Sequence, residues 1–411
     1  MTLWDAYAAR REAALAGETA AAPLAAVAAP LPAAEAIAPR AWLYGTRLIR
    51  RFVSVLVAPG GVGKSALALG QAVAVATGRP ILGEHVHHAV PAWVLNLEDP
   101  AEETHRRLAA LMRHHGIPRE ALADTLYLHA GRDRRVTMGE WDAGGATVRH
   151  PDREAVVQAA RARGIGLLVV DPFVKSHRLD ENSNAQIDAA ATAWSEVAEA
   201  TDAAVLLVHH VRKGAAPADV EAARGAKALT DAARAASVLA PMTEDEAAEM
   251  GVSPAERWRH IRLDDAKANL APRAGGALWY RLETVALGNG TPDYPQGDRV
   301  AVVAPWQRPR PAAPPADDAA LAAALSAILR GPGGNRAYTA TRGGRAGDRW
   351  AGGVLMRTAG LCERGAGRQL AAWLANGTLQ QWPYRDPATR KRTLGLRAGD
   401  THSDSKQEQR P

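Results

Sequence analysis

The chain has 411 residues, enough for two folded units plus tails, and its 47% hydrophobic content is that of a globular protein rather than a disordered or fibrous one. A formal net charge of +6, with a pI near 9.6, favours a polyanionic partner over a cationic one. The single cysteine, Cys362, excludes an internal disulfide framework and fits a reducing compartment.

No stretch has the length and apolarity of a membrane span. The first residues also lack the charged-then-apolar order of a secretory signal, so a cytoplasmic protein with no membrane partner is expected. Residues 1–41 read as an arm, ending in an Ala/Pro tract broken by Pro23 and Pro30. Trp42, Leu43 and Tyr44, then 47–51, lead in as an entry segment covering a sheet edge. Adenine stacking or subunit docking by Trp42 or Tyr44 is the alternative.

The apolar run 53–57 ends in a glycine-rich turn, and a helix pattern begins at Lys64. Pro59, Gly60, Gly61, Val62, Gly63, Lys64, Ser65 and Ala66 form a phosphate cradle. The glycines let backbone N–H groups point inward, the helix start adds partial positive charge, and Lys64 adds a full one. Ser65 is placed to hold Mg2+ through its hydroxyl, which makes ATP and Mg2+ the expected ligands. Ala58 stands where the strict pattern has glycine.

From 52 to 240 strands and helices alternate, which predicts an α/β, RecA-like P-loop core with a mainly parallel sheet. Strands are expected at 53–57, 92–97, 125–129, 166–170, 204–208 and 236–240, with helices near 64–76, 101–115, 152–163, 184–200 and 226–235. Ligands bind such sheets beyond the strand C-termini, so the residues just after each strand carry the chemistry.

Asp171 follows the fourth of these strands and has the position of the Mg2+-side carboxylate. Pro172 comes next, where many ATPases have a water-activating glutamate. Glu98, after the second strand, is then the candidate catalytic carboxylate, and Asp99 the better candidate for the helix cap. His209 and His210 end the fifth strand, where they would sense the γ-phosphate; no further ligands suit a metal site.

Beyond them Arg212 and Lys213, like Lys175 and Arg178 after the fourth strand, are candidate nucleic-acid contacts. A helix over 226–235 would put Lys227 and Arg234 on one face. Arg224, Lys227 and Arg234 form either a solvated basic face or a source of an arginine finger for a neighbouring subunit. Residues 257–285 resume strand character as a hairpin extending the sheet, and Lys267 is placed to approach a phosphate. With no arginine clamp evident in the same chain, the site calls for a neighbour, and head-to-tail contacts that close make rings.

The order 58–65, Leu97-Glu98-Asp99-Pro100, Val170-Asp171-Pro172, 209–214, Arg224-Gly225 with 229–231, and Lys267-Ala268-Asn269 resembles RepA-type hexameric replicative helicases. It is also similar to the wider RecA-like AAA-family ATPases of plasmids and phages. The resemblance spans 42–305. It implies a ring, most simply a hexamer, with ATP between subunits and single-stranded DNA gripped by central loops. In its terms Lys64 and Ser65 bind phosphate and Mg2+, Glu98 is catalytic, and Asp171 is the metal-side acid. The His pair senses phosphate, and Arg234, or else Arg224, is the finger. An ATP-switched adaptor that loads or remodels a replication or recombination protein would use the same set.

Residues 306–316 read as a Pro/Arg-rich linker. The segment 317–398 is basic and orders itself as helices followed by a hairpin, with 385–392 as its turn. That predicts a small winged-helix-like domain contacting duplex DNA, or a basic surface without a partner. The tail 399–411 is polar and expected to be disordered.

Overall fold

The computed structural model describes Ala26, Ala29 and residues 31–145, 147–210, 227–271, 276–307, 318–342 and 349–399. Arg212, Lys213 and Arg224, together with all of residues 211–226, lie outside the described residues. So do most of the arm 1–30, the linker positions 308–317 and the tail 400–411. The chain divides into two compact units, Met1–Arg308 and Pro309–Pro411.

The first unit opens with a ribbon of β1 (Trp42–Tyr44) and β2 (Leu48–Ile49), and then β3 (Val53–Ala58), whose six residues are all buried. Helix α1 (Lys64–Thr77) follows, then β4 (Ala92–Asn96), α2 (Ala101–His115) and β5 (Leu126–Ala130). A small hairpin, β6 (Glu140–Trp141) and β7 (Val148–Arg149), precedes α3 (Arg153–Ala162) and β8 (Leu167–Asp171). Next come α4 (Asn184–Thr201), β9 (Ala204–His210), α5 (Lys227–Ala232), β10 (Ala235–Pro241) and α6 (Glu244–Met250). Three antiparallel strands complete the unit: β11 (His260–Ala268), β12 (Leu278–Ala286) and β13 (Arg299–Pro305).

Nine strands form one sheet in the order β13-β12-β11-β10-β3-β9-β8-β4-β5, parallel from β10 through β5. Residues two apart on a strand share a face, so β3 sends Leu56 and Ala58 to one side and Val53, Val55 and Val57 to the other. The first side packs under α1 and α2; the second packs against α3, α4 and α5, with Trp194 fully buried there. This is the α/β RecA-like P-loop architecture.

The entry ribbon does not cover a sheet edge. It packs against the central strands, and Tyr44 is fully buried, which removes it from adenine stacking. Arg47 anchors the ribbon: its guanidinium donates to Glu84 at 3.1 Å and Ser237 Oγ at 2.7 Å, and it also pairs with Asp265. Deleting one partner of such a buried network costs ~3–5 kcal/mol. Helix α5 is shorter than expected because Arg234 N–H leaves the helix and donates to Val53 O at 3.1 Å as β10 begins. Arg234 is therefore not part of that helix, contrary to expectation.

The second unit holds α7 (Asp318–Arg330), α8 (Ala351–Ala359) and α9 (Glu363–Ala375), then the hairpin β14 (Leu379–Arg385) and β15 (Arg392–Ala398). Ile328, Leu355, Leu370 and Leu396 form its core, and Leu396 N–H donates to Tyr338 O at 2.9 Å. The hairpin turn is pinned by Asp386. Burial alone would raise that carboxyl, but the N–H groups of Thr389 and Ala388 and the guanidiniums of Arg349 and Arg336 outweigh it and hold the pKa low. Arg385, Arg390, Lys391 and Arg392 are exposed around this turn.

Candidate nucleotide site

The phosphate loop begins where β3 ends. Ala58 is the last strand residue and has no exposure, so its methyl fills the core and a glycine is not needed there. Gly61 and Gly63 do need to be glycine: their φ angles are +81° and +89°, in the left-handed region. Gly63 occupies the cap position of α1, and a Cβ on it would fall 2.9 Å from Leu282 Cδ2. Nothing lies within 4 Å of where a Cβ on Gly60 or Gly61 would stand, so the loop leaves an open cradle beneath the N-terminus of α1.

Lys64 is only 6% exposed. Burial lowers its pKa, while the charges of Asp171 and Glu98 work to raise it and Arg107 adds to the lowering. A buried ammonium facing two carboxylates suits an anionic ligand that restores its charged partner. Asp171, at the end of β8, is pushed up by burial and pulled back by the Ser65 hydroxyl, Lys64 and Arg107. Ser65 and Asp171 bring two hard oxygen ligands together, the ligand chemistry of Mg2+. These residues fit Mg2+-nucleotide.

Glu98 reaches the same place from β4. Asn96 lies level with Asp171 in the parallel register, and Leu97 N–H donates to Asp171 O at 2.8 Å. Asn96 shapes the turn: its Oδ1 accepts from the N–H groups of Glu98 at 3.1 Å and Asp99 at 2.9 Å, while Nδ2 donates to Thr104 Oγ1 at 2.8 Å. The sequence reading passed over Asn96, although a buried Asn closing a strand is a turn signal. Asp99 does not cap α2. Pro100 holds the cap position, and Asp99 instead pairs with Arg107 at 2.7 Å.

The histidine pair divides. Strand β9 lies between β3 and β8, so its end separates the phosphate loop from Asp171. His210 faces the side of Lys64 and Glu98; burial first, then Lys64, lowers its pKa, with Glu98 opposing. His209 faces the other way, 6.3 Å from the Phe173 ring, and burial with His210 and His177 pushes it down to about 4. Both imidazoles are held neutral, and only His210 faces the phosphate side.

A cleft of about 400 Å3 adjoins the cradle, lined among others by Gly61, Lys64, Arg106, Arg107, Asp298 and Arg299. The chain thus does bring arginines to its own site, contrary to expectation. Arg107 is engaged with Asp99 and Glu103 and Arg106 with Asp298 at 3.0 Å, while Arg299 is exposed at the start of β13. Spacing along α2 could have suggested them, but nothing local marks β13 as a wall of the site.

The remaining candidates stand elsewhere. Lys175 and Arg178 are exposed beyond β8, on the rim of Glu98. Arg234 is exposed at the start of β10, level with Val53 at the start of β3, and therefore on the rim opposite its own phosphate loop. Lys267 donates to Thr230 O and Asp231 O at the end of α5, near Arg234, and does not approach its own site.

Fold and site together define a P-loop nucleotide-binding ATPase domain of the RecA-like kind. Residues 20–216 match the model of a family described as AAA domain, a span that includes the cradle, Glu98, Asp171 and both histidines. Among the described residues, no helix is long and apolar enough to cross a membrane.

Proposed function

We propose that this chain is an ATP-hydrolysing ring motor that acts on DNA, in the manner of RepA-type replicative helicases. One observation carries the reading. Lys64, Ser65, Asp171, Glu98 and His210 gather at one rim of the sheet, while exposed Arg234 sits at the opposite rim, where only another subunit's nucleotide is within reach. Two unlike, complementary rims suit a head-to-tail contact, and such contacts close into rings.

ATP with Mg2+ would supply the anhydride to be cleaved and the divalent charge that neutralises it. Lys64 offsets phosphate charge, and Ser65 and Asp171 hold the ion. Glu98 orients a water and takes its proton, since Pro172 leaves no carboxylate beside Asp171. Neutral His210 stands between Lys64 and Glu98 at the end of β9, where it registers whether the terminal phosphate is present. Arg234 of one subunit completes the site of the next. The exposed arginines around the β14–β15 turn contact duplex DNA.

The test combines solution mass with a non-hydrolysable ATP analogue, ATP turnover with and without single-stranded DNA, and strand displacement on a forked duplex. The motor predicts a hexameric mass, stimulated turnover and displacement. A strict monomer refutes the ring. Stimulation without displacement refutes the motor and assigns the chain to the loading or remodelling adaptors.

A further inference from the structure

On the other side of Glu98 from the phosphate cradle lies a groove of about 710 Å3. Its walls come from the segments after β4, β5 and β8, and the polar lining includes Glu98, Arg132, Arg135, Lys175, His177 and Arg178. All four cations are exposed. Arg178 pairs with Glu140 at 3.1 Å, whereas Arg135 and Lys175 have no carboxylate within salt-bridge reach among the described residues. No Phe, Tyr or Trp lines the groove, so nothing there grips a single base, and the surface is one for a charged backbone.

His177 and Arg132 complete the wall, and it is Arg132 that offers contacts to a ligand and a link with Glu98. His177 is 8% exposed, and its Nδ1 accepts from Leu179 N–H at 3.3 Å, which leaves the proton on Nε2. That Nε2 has no acceptor among the described residues, but it is buried, with the ring 4.9 Å from that of Phe173, so it is not offered to the groove. Arg132 Nε donates to the backbone carbonyl of Glu98 at 3.0 Å. Its two Nη groups have no protein partner among the described residues and remain available for a bidentate grip on phosphate. The preceding Gly131 N–H donates to Asn96 O at 2.7 Å, and a methyl on Gly131 would stand 2.6 Å from Leu97 Cα. The groove wall and the segment carrying Glu98 are thus packed backbone to backbone.

We propose that this groove binds the phosphates of a single-stranded polynucleotide, and that Arg132 is a positioning residue coupling its occupancy to the placement of Glu98. A phosphate held by the Nη groups fixes the guanidinium, and the guanidinium fixes the carbonyl of Glu98. The inference rests on the reading of the chain as a DNA-stimulated ATPase.

The test uses the full chain, a fluorescein-labelled oligo(dT) in salt-titrated anisotropy, and ATP turnover against oligo(dT) concentration. The double variant Arg135→Ala/Lys175→Ala should flatten the log–log salt dependence of binding by roughly 1.4, two phosphate contacts at about 0.7 each. It should also raise the oligo(dT) concentration that half-saturates stimulation. Arg132→Lys keeps the charge but cannot hold carbonyl and phosphate together. It should leave half-saturation near wild type and cut the maximal stimulated-to-basal ratio about tenfold, the scale of one charge-assisted contact. A wild-type maximum in Arg132→Lys, or a wild-type salt slope in the double variant, overturns the proposal while leaving the ATPase reading intact. A wild-type chain that neither binds nor responds to oligo(dT) overturns both.

Discussion

Replacing His209 by glutamine removes a buried imidazole without touching the face of Lys64. In the folded chain the His209 pKa is about 4, against an ordinary 6.5, because burial and the neighbouring His210 and His177 disfavour the charged form. The sign follows from proton counting: as the pH falls below 6.5 the unfolded chain takes up a proton that the folded chain refuses. The contribution is fully present above 6.5, is lost as the pH falls through the folded pKa, and levels off below it. The separation of the two pKa values corresponds to about 3 kcal/mol, of which about 2 kcal/mol falls between pH 7 and pH 4.5. Urea unfolding of the full chain at those two pH values measures it, read on the transition that Mg2+-ADP shifts. Wild type should lose about 2 kcal/mol more than His209→Gln, since every other titrating group is common to both. Equal losses in the two proteins would refute the neutral, inward-facing assignment of His209.

Glu98→Gln should keep nucleotide binding and lose turnover by about 10²–10⁴-fold, while Lys64→Ala loses both; full turnover in the glutamine variant removes Glu98 from catalysis. Gly63→Ala forces a side chain into the left-handed region at ~1–2 kcal/mol and against Leu282, so nucleotide binding and thermal stability should fall together. Arg234→Ala should recover turnover when mixed with Glu98→Gln subunits, because an intact Arg234 then meets an intact Glu98 at some interfaces; no recovery counts against action in trans. Removing residues 309–411, which have their own core, should preserve ATP turnover and weaken duplex binding as read by anisotropy.

The central strands could be read directly because they are short apolar runs buried on both faces, each ending at a turn or a polar residue. Val53–Ala58, Ala92–Asn96 and Leu167–Asp171 all fall within a residue of expectation. The split of His209 from His210 departs from the reading of both as sensors, although adjacent strand residues point to opposite faces. The partnership of Arg107 with Asp99 is non-local enough to be masked by the cap-like look of Asp99-Pro100. Asp298 and Arg299 enter the cleft only because three antiparallel strands carry β13 back beside α2, and no local pattern specifies that return. The groove beside Glu98 is likewise assembled from segments some 40 residues apart, each unremarkable alone.

Strand β3 is six residues long, roughly 20 Å from end to end. It carries the phosphate loop at one end and holds Arg234 at the other through Val53 O. In a closed ring each copy of this strand would be a stiff strut joining two reaction centres, one served by its own loop and one by its arginine. Such a ring is a circuit of struts in series, in which a displacement at one centre arrives at the next with little loss because both strand faces are packed solid. A subunit that lacks both Glu98 and Arg234 then disables two centres, so activity in rings mixed with that double variant should fall more steeply than its share of the chains.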